Sequence, residues 1–224
     1  MPRVSRIDVG GEIYHVINRA NARVQIFDNS KDYQLFEQVL LEAKERSNIR
    51  IYGYCIMPNH WHLIVSPQND GDLSKFTGWL TMTHTQRWHA AHKSIGSGHL
   101  YQGRYKSFLA QSNEYFLQLM RYVERNPARA KLVRKAEDWQ WGSLWRRERG
   151  TSEQKKLLSS LVVQLPSQYL SWVNEPEEIE KLKELHYSVN KGKPYGKDKW
   201  TDRMIERFKL NATLRNPGRP KKGS

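Results

Sequence analysis

The sequence predicts an α+β protein with a ferredoxin-like antiparallel sheet (β-α-β-β-α-β), helices on one face, and a mainly helical C-terminal extension. Three observations predict this class. Strand-like and helix-like runs follow one another in that order up to about residue 109. Pro58-Asn59 is typical of a tight turn between two strands, and strand alternation stops beyond about residue 150. In a split βαβ sandwich two helices cover one face of the sheet, so we expect the other face to be free to hold a site.

The first half of the sheet comes from the region before residue 70. Glu12–Asn18 is rich in β-formers and follows two glycines, which predicts the first strand. Asn29 then caps a helix that runs over Ser30–Ser47, with apolar residues at helical spacing. Ile49–Met57 and Trp61–Val65 are predicted to be the two arms of a hairpin.

The second half of the fold is predicted from the residues that follow. Asp72 is expected to cap a helix over Leu73–Lys93, and Leu100–Leu109 is predicted as the fourth strand. A third helix is predicted over Asn113–Arg125, and Asn126-Pro127 would end it because the residue before proline avoids the helical region.

The composition changes near residue 150, which predicts two units: a catalytic domain of residues 1–149 and a basic helical extension of residues 150–224. Helix candidates in the extension are Pro176–Tyr187 and Trp200–Leu210. The tail Arg215–Ser224 is basic, and we expect it to be disordered.

An excess of basic residues makes polyanions the expected partners. The 224 residues include 37 Lys and Arg against 23 Asp and Glu, a formal net charge of +14. This charge favours nucleic acid first and an anionic membrane surface second. The single cysteine, Cys55, excludes a disulfide framework or a zinc ribbon within one chain and suits a reducing compartment. No apolar run has the length of a signal peptide core or a membrane span, so we expect a cytoplasmic protein without membrane contact.

Two histidines with one residue between them are the first candidate site. His60 and His62 would leave the same face of a strand, while Trp61 points to the other face. Two neutral imidazoles side by side are half of a divalent-metal site. A histidine in a strand is more often structural, so the pair alone does not establish a site.

The third predicted helix offers the groups that would complete the site. Tyr122 and Asn126 are four residues apart and share one side of a helix. An amide oxygen can be a third metal ligand, and a phenol one turn away can attack a phosphodiester that the metal polarises. Attack would give a covalent 5′-phosphotyrosine and a free 3′-hydroxyl. Tyr115 is the competing nucleophile, but the residue four positions after it is Leu119, which cannot bind a metal.

Three sequence blocks together resemble the single-tyrosine HUH transposases, and most of all their REP-associated tyrosine transposase branch. The blocks are Pro58–Val65, Gly103–Ser107 and Arg121–Ala130, within a resemblance that covers roughly residues 8–147. The resemblance implies a ferredoxin-like catalytic domain, a Mg²⁺ or Mn²⁺ ion, and single-stranded or hairpin DNA as substrate. The resemblance also implies that His60 and His62 bind the metal and that Tyr122 is the nucleophile. Mobile relatives often have Gln where this chain has Asn126, as in the REP-associated branch, and the resemblance implies that Asn126 is the third ligand.

Interleaved cations and aromatic residues around these blocks suit unpaired DNA, because phosphates attract charge and bases stack on flat rings. The candidate DNA-binding residues are Arg19, Arg23, Arg104, Lys106 and Arg129. A further candidate, Arg219, lies in a Gly-Arg-Pro segment of the tail that is similar to an AT-hook core. A plain basic tail and ordinary surface cations are the alternatives.

The sequence therefore predicts a metal-dependent enzyme that cleaves and rejoins single DNA strands beside a hairpin, without a nucleotide cofactor. We expect it in the bacterial cytoplasm with the nucleoid, as a monomer or a homodimer. Three alternatives stay open. They are a non-catalytic protein that binds palindromic repeats, a relaxase-type nicking enzyme, and a nuclease or phosphatase that uses water in place of Tyr122.

Overall fold

The computed structural model describes residues 7–214. Its strands are β1 (Ile13–Arg19), β2 (Ile49–Met57), β3 (His60–Pro67) and β4 (Lys106–Ala110). Its α-helices are α1 (Ser30–Glu45), α2 (Asp72–Ala91), α3 (Glu114–Glu124), α4 (Asn126–Arg129), α5 (Ser143–Arg149), α6 (Ser152–Lys155), α7 (Tyr169–Asn174), α8 (Ile179–Lys191) and α9 (Asp198–Arg207). Short 3₁₀ turns cover Asn21–Arg23, Ala136–Asp138 and Asn211–Leu214. Among these residues, no helix has both the length and the apolarity that crossing a bilayer requires.

The four strands form one antiparallel sheet in the spatial order β2-β3-β1-β4. With α1 between β1 and β2, and α2 between β3 and β4, this is the split βαβ arrangement. The predicted α+β class and element order are confirmed. Strand β3 lies in the middle of the sheet, so the predicted histidine pair has a rigid support on both sides.

Helices α1 and α2 cover one face of the sheet and form an apolar core with it. Side chains that alternate along β1 and β3 point into this layer, as period-two geometry requires. They meet the buried stripes of α1 and α2; representative members are Tyr14, Val16, Leu63, Phe36, Leu40 and Leu80. Asn29 caps α1 as predicted, because its side chain accepts a hydrogen bond from the backbone N–H of Lys31.

The opposite face of the sheet is also covered, which corrects the expectation that it would be free. Helix α3 packs there through Phe116, Leu119 and Val123, together with residues of α7 and α8 such as Val173 and Leu185. The physical reason is composition: this face carries apolar side chains at most positions and has to bury them. A site can therefore lie only where polar residues interrupt this second core.

Several element boundaries differ from the sequence prediction by a few residues, and the structure explains the starts of β4 and α2. The fourth strand is short, because Tyr101 forms only an isolated bridge with Ala20 and residues 102–105 leave the ladder before β4 begins. Asp72 is the first residue of α2 rather than its cap. The cap is Gly71, whose φ of 83° favours glycine, and Asp72 instead accepts a hydrogen bond from the backbone N–H of Asn69.

The residues after 150 pack against the sheet domain at several points. Tyr195 joins the edge of β4, donating its N–H to Leu109 and accepting from the N–H of Gln111. On α3, the buried Glu124 carboxylate accepts hydrogen bonds from the hydroxyls of Ser143 and Tyr169. The predicted boundary near residue 150 stays a prediction. The predicted basic tail, 215–224, lies outside the described residues.

Candidate active site

Strand β3 places the two predicted metal ligands on one face of the sheet. The ring centroids of His60 and His62 are 4.9 Å apart. Trp61 points to the other face, where its ring packs against Phe36 of α1 with centroids 5.6 Å apart. The two imidazoles therefore leave the sheet together, toward α3.

One nitrogen of each imidazole already has a partner within the protein. His60 Nδ1 lies 2.6 Å from Asn59 Oδ1, and His62 Nδ1 lies 2.8 Å from Nε2 of His15 on β1. In both rings Nε2 is left as the nitrogen that can bind a ligand. This is the arrangement expected of metal-binding histidines, whose second nitrogen is held by another group.

Both histidines are neutral near pH 7. Burial lowers the pKa of His60 to about 4, with further lowering by the charges of Arg19 and Arg129. Burial also holds the pKa of His62 well below its usual range, and His60 and His15 add to the effect. A metal ion needs an unprotonated imidazole, so the environment keeps the pair in the form that binds metal.

Helix α3 brings Tyr122 to the histidine pair. Its ring centroid lies 6.0 Å from that of His62. The side chain does not project into solvent, because Tyr122 is only 5 % exposed. The reason is α8, whose His186 lies against the ring at 5.7 Å. Burial raises the pKa of the Tyr122 hydroxyl, and the nearby Arg129 charge opposes that rise.

Asn126, the predicted third ligand, begins α4 directly after the tyrosine helix. Its Oδ1 accepts a hydrogen bond from Nη2 of Arg129 at 2.6 Å, while its Nδ2 is buried and has no partner among residues 7–214. The Arg129 guanidinium also lies 4.4 Å from the centre of the Tyr122 ring. An amide oxygen has two lone pairs, so a metal ion bound by Asn126 would share that oxygen with Arg129.

Tyr115, the alternative nucleophile, lies in different surroundings. Its ring packs edge-on against Tyr195 with centroids 5.1 Å apart. It lines a cavity formed with residues of α8 and α9, and neither histidine of the pair lines that cavity. The structure therefore brings Tyr122, and not Tyr115, next to His62.

Three of the predicted DNA-binding cations lie together beside the histidine pair. Arg19 is opposite His60 in the pairing of β1 with β3, and Lys106 is opposite Ile17 in the pairing of β1 with β4. Both line a cavity of about 250 Å³ together with Arg104. The Nε of Arg19 is buried without a hydrogen-bond partner in the described part of the chain. A cavity with three cations, one of them incompletely paired, suits an anion such as a phosphate.

The other predicted cations are placed differently. Arg23 is exposed in the turn after β1, where its φ is 59°. Arg129 is held inside the site, because its Nη1 also forms an ion pair of 2.6 Å with Glu177 of the extension. Arg219 lies outside the described residues.

The residues present fit a divalent metal ion of the kind that the family resemblance implies. Within residues 7–214, no group of three or more His, Cys, Asp or Glu side chains could hold a metal ion. A site at His60 and His62 therefore needs a different third donor, such as the amide oxygen of Asn126, a substrate phosphate or water. Mn²⁺ can accept two imidazoles together with such oxygen donors, whereas Mg²⁺ would be held mainly by the oxygen donors.

Sequence reasoning missed two residues of this site. His15 is 0 % exposed and lies against His62, but only the register of β1 with β3 brings them together. His186 reaches Tyr122 through the packing of α8, and no local pattern in the sequence indicates that contact.

Comparison with known proteins gives the family of the chain and structures of similar fold. Residues 9–126, just over half of the chain, match the family model of IS200-like transposases. No curated protein matches the chain. Among solved structures, a REP-associated tyrosine transposase bound to a REP hairpin superposes with a TM-score of 0.56 at 20% identity, covering 73% of this chain and 94% of that one. A candidate transposase of Deinococcus radiodurans R1 has a TM-score of 0.39 at 19% identity, covering 55% of this chain and 95% of its own. The matched residues include the histidine pair, Tyr122 and Asn126, and the chain belongs to the IS200-like transposase family.

Proposed function

We propose that this chain is a DNA strand transferase that cleaves and rejoins single strands beside a hairpin, with Tyr122 as the nucleophile. Its family makes it a transposase. The observation that carries the finer proposal is the 6.0 Å separation between the rings of Tyr122 and His62. This separation puts a nucleophile beside a candidate metal site.

The proposed metal ion is Mg²⁺ or Mn²⁺, bound by His60 and His62 and by the amide oxygen of Asn126. When bound, the ion acts as a Lewis acid that polarises and orients the scissile phosphate. The protein contributes the rigid support of β3 and the neutral state of both imidazoles. It also contributes the Arg129 guanidinium, which contacts both Tyr122 and Asn126.

The proposed chemistry is an in-line transfer of the phosphoryl group to tyrosine. The Tyr122 oxygen forms a bond to phosphorus, the bond from phosphorus to the 3′-oxygen breaks, and the 3′-oxygen takes up a proton. The phenolic proton leaves to water, because Glu177, the carboxylate that acts on Tyr122 in the described part of the chain, is already paired with Arg129. Reversal by a 3′-hydroxyl rejoins the strands without ATP, since the phosphodiester energy is kept in the tyrosine link.

The proposed substrate is single-stranded or hairpin DNA. A protein of similar fold was solved with a REP hairpin bound. In this chain, the cavity formed by Arg19, Arg104 and Lys106 lies beside His60, where a strand entering the site would place its phosphates. We also propose that DNA contacts three further cations, which are Arg23, Arg129 and Arg219. The DNA substrate also places the protein with the nucleoid.

The proposed site is complete within one chain, because Tyr122 contacts His62 of its own chain. This supports a monomer as the active form. The proposed catalytic unit of residues 1–149 does not act alone in this arrangement, since His186 of the extension covers Tyr122. Because Tyr122 is only 5 % exposed, we propose that DNA binding is accompanied by a shift of α8 that widens the approach to the hydroxyl.

The burial of Tyr122 favours a second candidate, a DNA-binding protein that does not cleave. Such a protein would use the cationic cavity to hold palindromic DNA and would never expose the hydroxyl. Both candidates predict DNA binding, so binding alone does not distinguish them.

The deciding experiment is to trap a covalent protein–DNA adduct. Hairpin DNA with single-stranded flanks, labelled on the 3′ side of the scissile bond, is incubated with protein and Mn²⁺ and then separated under denaturing conditions. We expect an adduct with the wild type and with Tyr115→Phe, and none with Tyr122→Phe. Binding without an adduct in the wild type would contradict the enzyme proposal and support the second candidate.

A further inference from the structure

His15 of β1 makes a direct hydrogen bond to the candidate metal ligand His62. Its Nε2 lies 2.8 Å from His62 Nδ1, although the two residues are 47 positions apart in the sequence. The His15 ring is fully buried and packs against Phe108 of β4 with centroids 4.8 Å apart. Its own Nδ1 has no hydrogen-bond partner in residues 7–214. The bond to His62 is therefore the polar contact that explains the orientation of this ring.

The direction of this bond follows from what a metal ligand requires. A neutral imidazole has one N–H and one nitrogen lone pair. If Nε2 of His62 gives its lone pair to a metal ion, the proton is on Nδ1, and that N–H donates to Nε2 of His15. The proton positions are assigned from this requirement, because heavy atoms alone do not define them. The bond then fixes both the tautomer and the rotation of the His62 ring.

We propose that His15 is a positioning residue of the metal site, which holds His62 with Nε2 directed at the ion. The inference rests on the proposed function, because it requires that His62 binds a divalent metal. Simple packing would be served by an apolar side chain, as at Ile13 and Ile17, the neighbouring same-face positions of β1. An imidazole with one unpartnered buried nitrogen destabilises the fold relative to such a residue. The one hydrogen bond that the His15 ring makes among the described residues is to a candidate metal ligand, and this contact indicates a role in the metal site.

His84 of α2 is a matched control within the same chain. It is also fully buried and also has one ring nitrogen without a partner among the described residues. Its Nδ1 is bonded to the hydroxyl of Tyr101 at 2.7 Å, on the face of the sheet away from the histidine pair. Replacing His84 therefore perturbs a similar buried imidazole without touching His62.

The experiment measures Mn²⁺ affinity without DNA, from the electron paramagnetic resonance signal of free Mn²⁺. We expect His15→Phe to weaken Mn²⁺ binding about 10- to 100-fold, which is the usual effect of removing a partner of a metal ligand. His15→Gln should recover part of the affinity, because its amide oxygen can accept from His62 Nδ1. His84→Phe should lower the melting temperature and leave the Mn²⁺ affinity within about twofold of wild type.

The outcomes separate the inference from the proposed function. If the wild type binds Mn²⁺ and His60→Gln abolishes binding, but His15→Phe binds as tightly as wild type, the positioning role is overturned while the metal site stands. If the wild type binds no Mn²⁺ at all, the metal site and the positioning role are both overturned.

A measurement on the unmutated protein covers the case in which His15→Phe fails to fold. Nitrogen-15 NMR of the histidine rings, with Mg²⁺ at saturation, reports which ring nitrogen carries the proton. We expect His62 protonated at Nδ1, with a coupling through the hydrogen bond to Nε2 of His15. Protonation of His62 at Nε2 in the presence of Mg²⁺ would overturn the inference.

Discussion

Two fully buried histidines lie on opposite faces of the sheet and have nearly the same local properties. His84 of α2 packs against Phe36 of α1, and His15 of β1 packs against Phe108 in the layer that α3 covers. Burial lowers the pKa of each to about 3. Each also has one ring nitrogen without a partner in the described part of the chain. Burial and pKa therefore do not distinguish a structural histidine from one that serves a site.

The neighbours of the two rings do distinguish them. His84 is bonded to the Tyr101 hydroxyl, which accepts a hydrogen bond from Trp61 Nε1, so its network closes within the apolar core. His15 is bonded to His62, which lies beside Tyr122 and the cationic cavity. On the face covered by α1 and α2, the polar groups of His84, Tyr101 and Trp61 bond to one another inside the core. On the face covered by α3, Nε2 of His60 and of His62 is left with a lone pair for a ligand.

The largest expected effect tests the site face directly. His60→Gln or His62→Gln should reduce Mn²⁺-dependent cleavage of hairpin DNA about 100-fold or more, because Lewis-acid stabilisation contributes several kcal/mol and each 1.4 kcal/mol is tenfold in rate. Single-turnover cleavage rates at fixed Mn²⁺ measure this effect. His84→Gln is the matched variant on the other face, and it should keep the rate while losing about 1–3 kcal/mol of stability. A similar loss of rate in all three variants would contradict the division between the faces.

The next effect concerns the buried Glu124 carboxylate, which connects α3 to α5 and to Tyr169 of the extension. Glu124→Ala should lower the free energy of unfolding by about 3 kcal/mol, because it leaves the partly buried Arg147 without its fully buried carboxylate partner. The hydroxyls of Ser143 and Tyr169 would lose their acceptor as well. Urea denaturation followed by circular dichroism measures the change. Glu180→Ala removes an exposed ion pair with Lys183 and should leave the midpoint unchanged.

The buried histidines of both faces should make the fold sensitive to acid. The folded-state pKa is about 3 for His15 and His84 and about 4 for His60, all below the unfolded value of 6.5. Their stabilising contribution is complete above pH 6.5 and is lost as the pH falls from there toward 4, since the unfolded chain takes up protons that the folded chain excludes. Each such histidine contributes about 1.4 kcal/mol per pH unit in this window. Urea midpoints measured in Mg²⁺-free buffer at pH 7.5, 6 and 5 test this. Equal midpoints would show that the rings titrate normally.

The smallest effect concerns DNA affinity. Arg19→Gln and Lys106→Gln should each weaken binding of single-stranded DNA and lower the slope of log affinity against log salt by about 1. Lys75→Gln on α2 removes an exposed cation from the other face and should change neither quantity. Fluorescence anisotropy at several salt concentrations measures both. A loss of slope with Lys75→Gln equal to that of Arg19→Gln would show that the binding surface is not confined to the site face.

Local patterns were sufficient to predict much of the site. Alternation along one strand places His60 and His62 together, and helical spacing relates Tyr122 to Asn126; neither inference needs knowledge of distant contacts. The same patterns predicted the element order of the sheet. Such patterns describe residues within one helix or strand, so the wrong predictions concern contacts between different elements.

The features that could not be predicted depend on packing between elements. His15 meets His62 through the register of β1 with β3, which the sequence does not specify. The burial of Tyr122 depends on the position of α8. The Asn126 amide oxygen accepts a hydrogen bond from Arg129, a side chain that the sequence had assigned only to DNA binding. Likewise, the second face of the sheet was expected to be free because no local pattern in the sequence indicates that α7 and α8 of the extension pack there.

The central claim is that the polar part of the site face binds a divalent metal next to Tyr122. Anomalous diffraction from crystals grown with Mn²⁺ tests it most directly, because the ion identifies its own position. The account predicts one strong peak within coordination distance of Nε2 of both His60 and His62, on the side facing Tyr122. Absence of a peak there at saturating Mn²⁺, or a peak elsewhere on the chain alone, would contradict it.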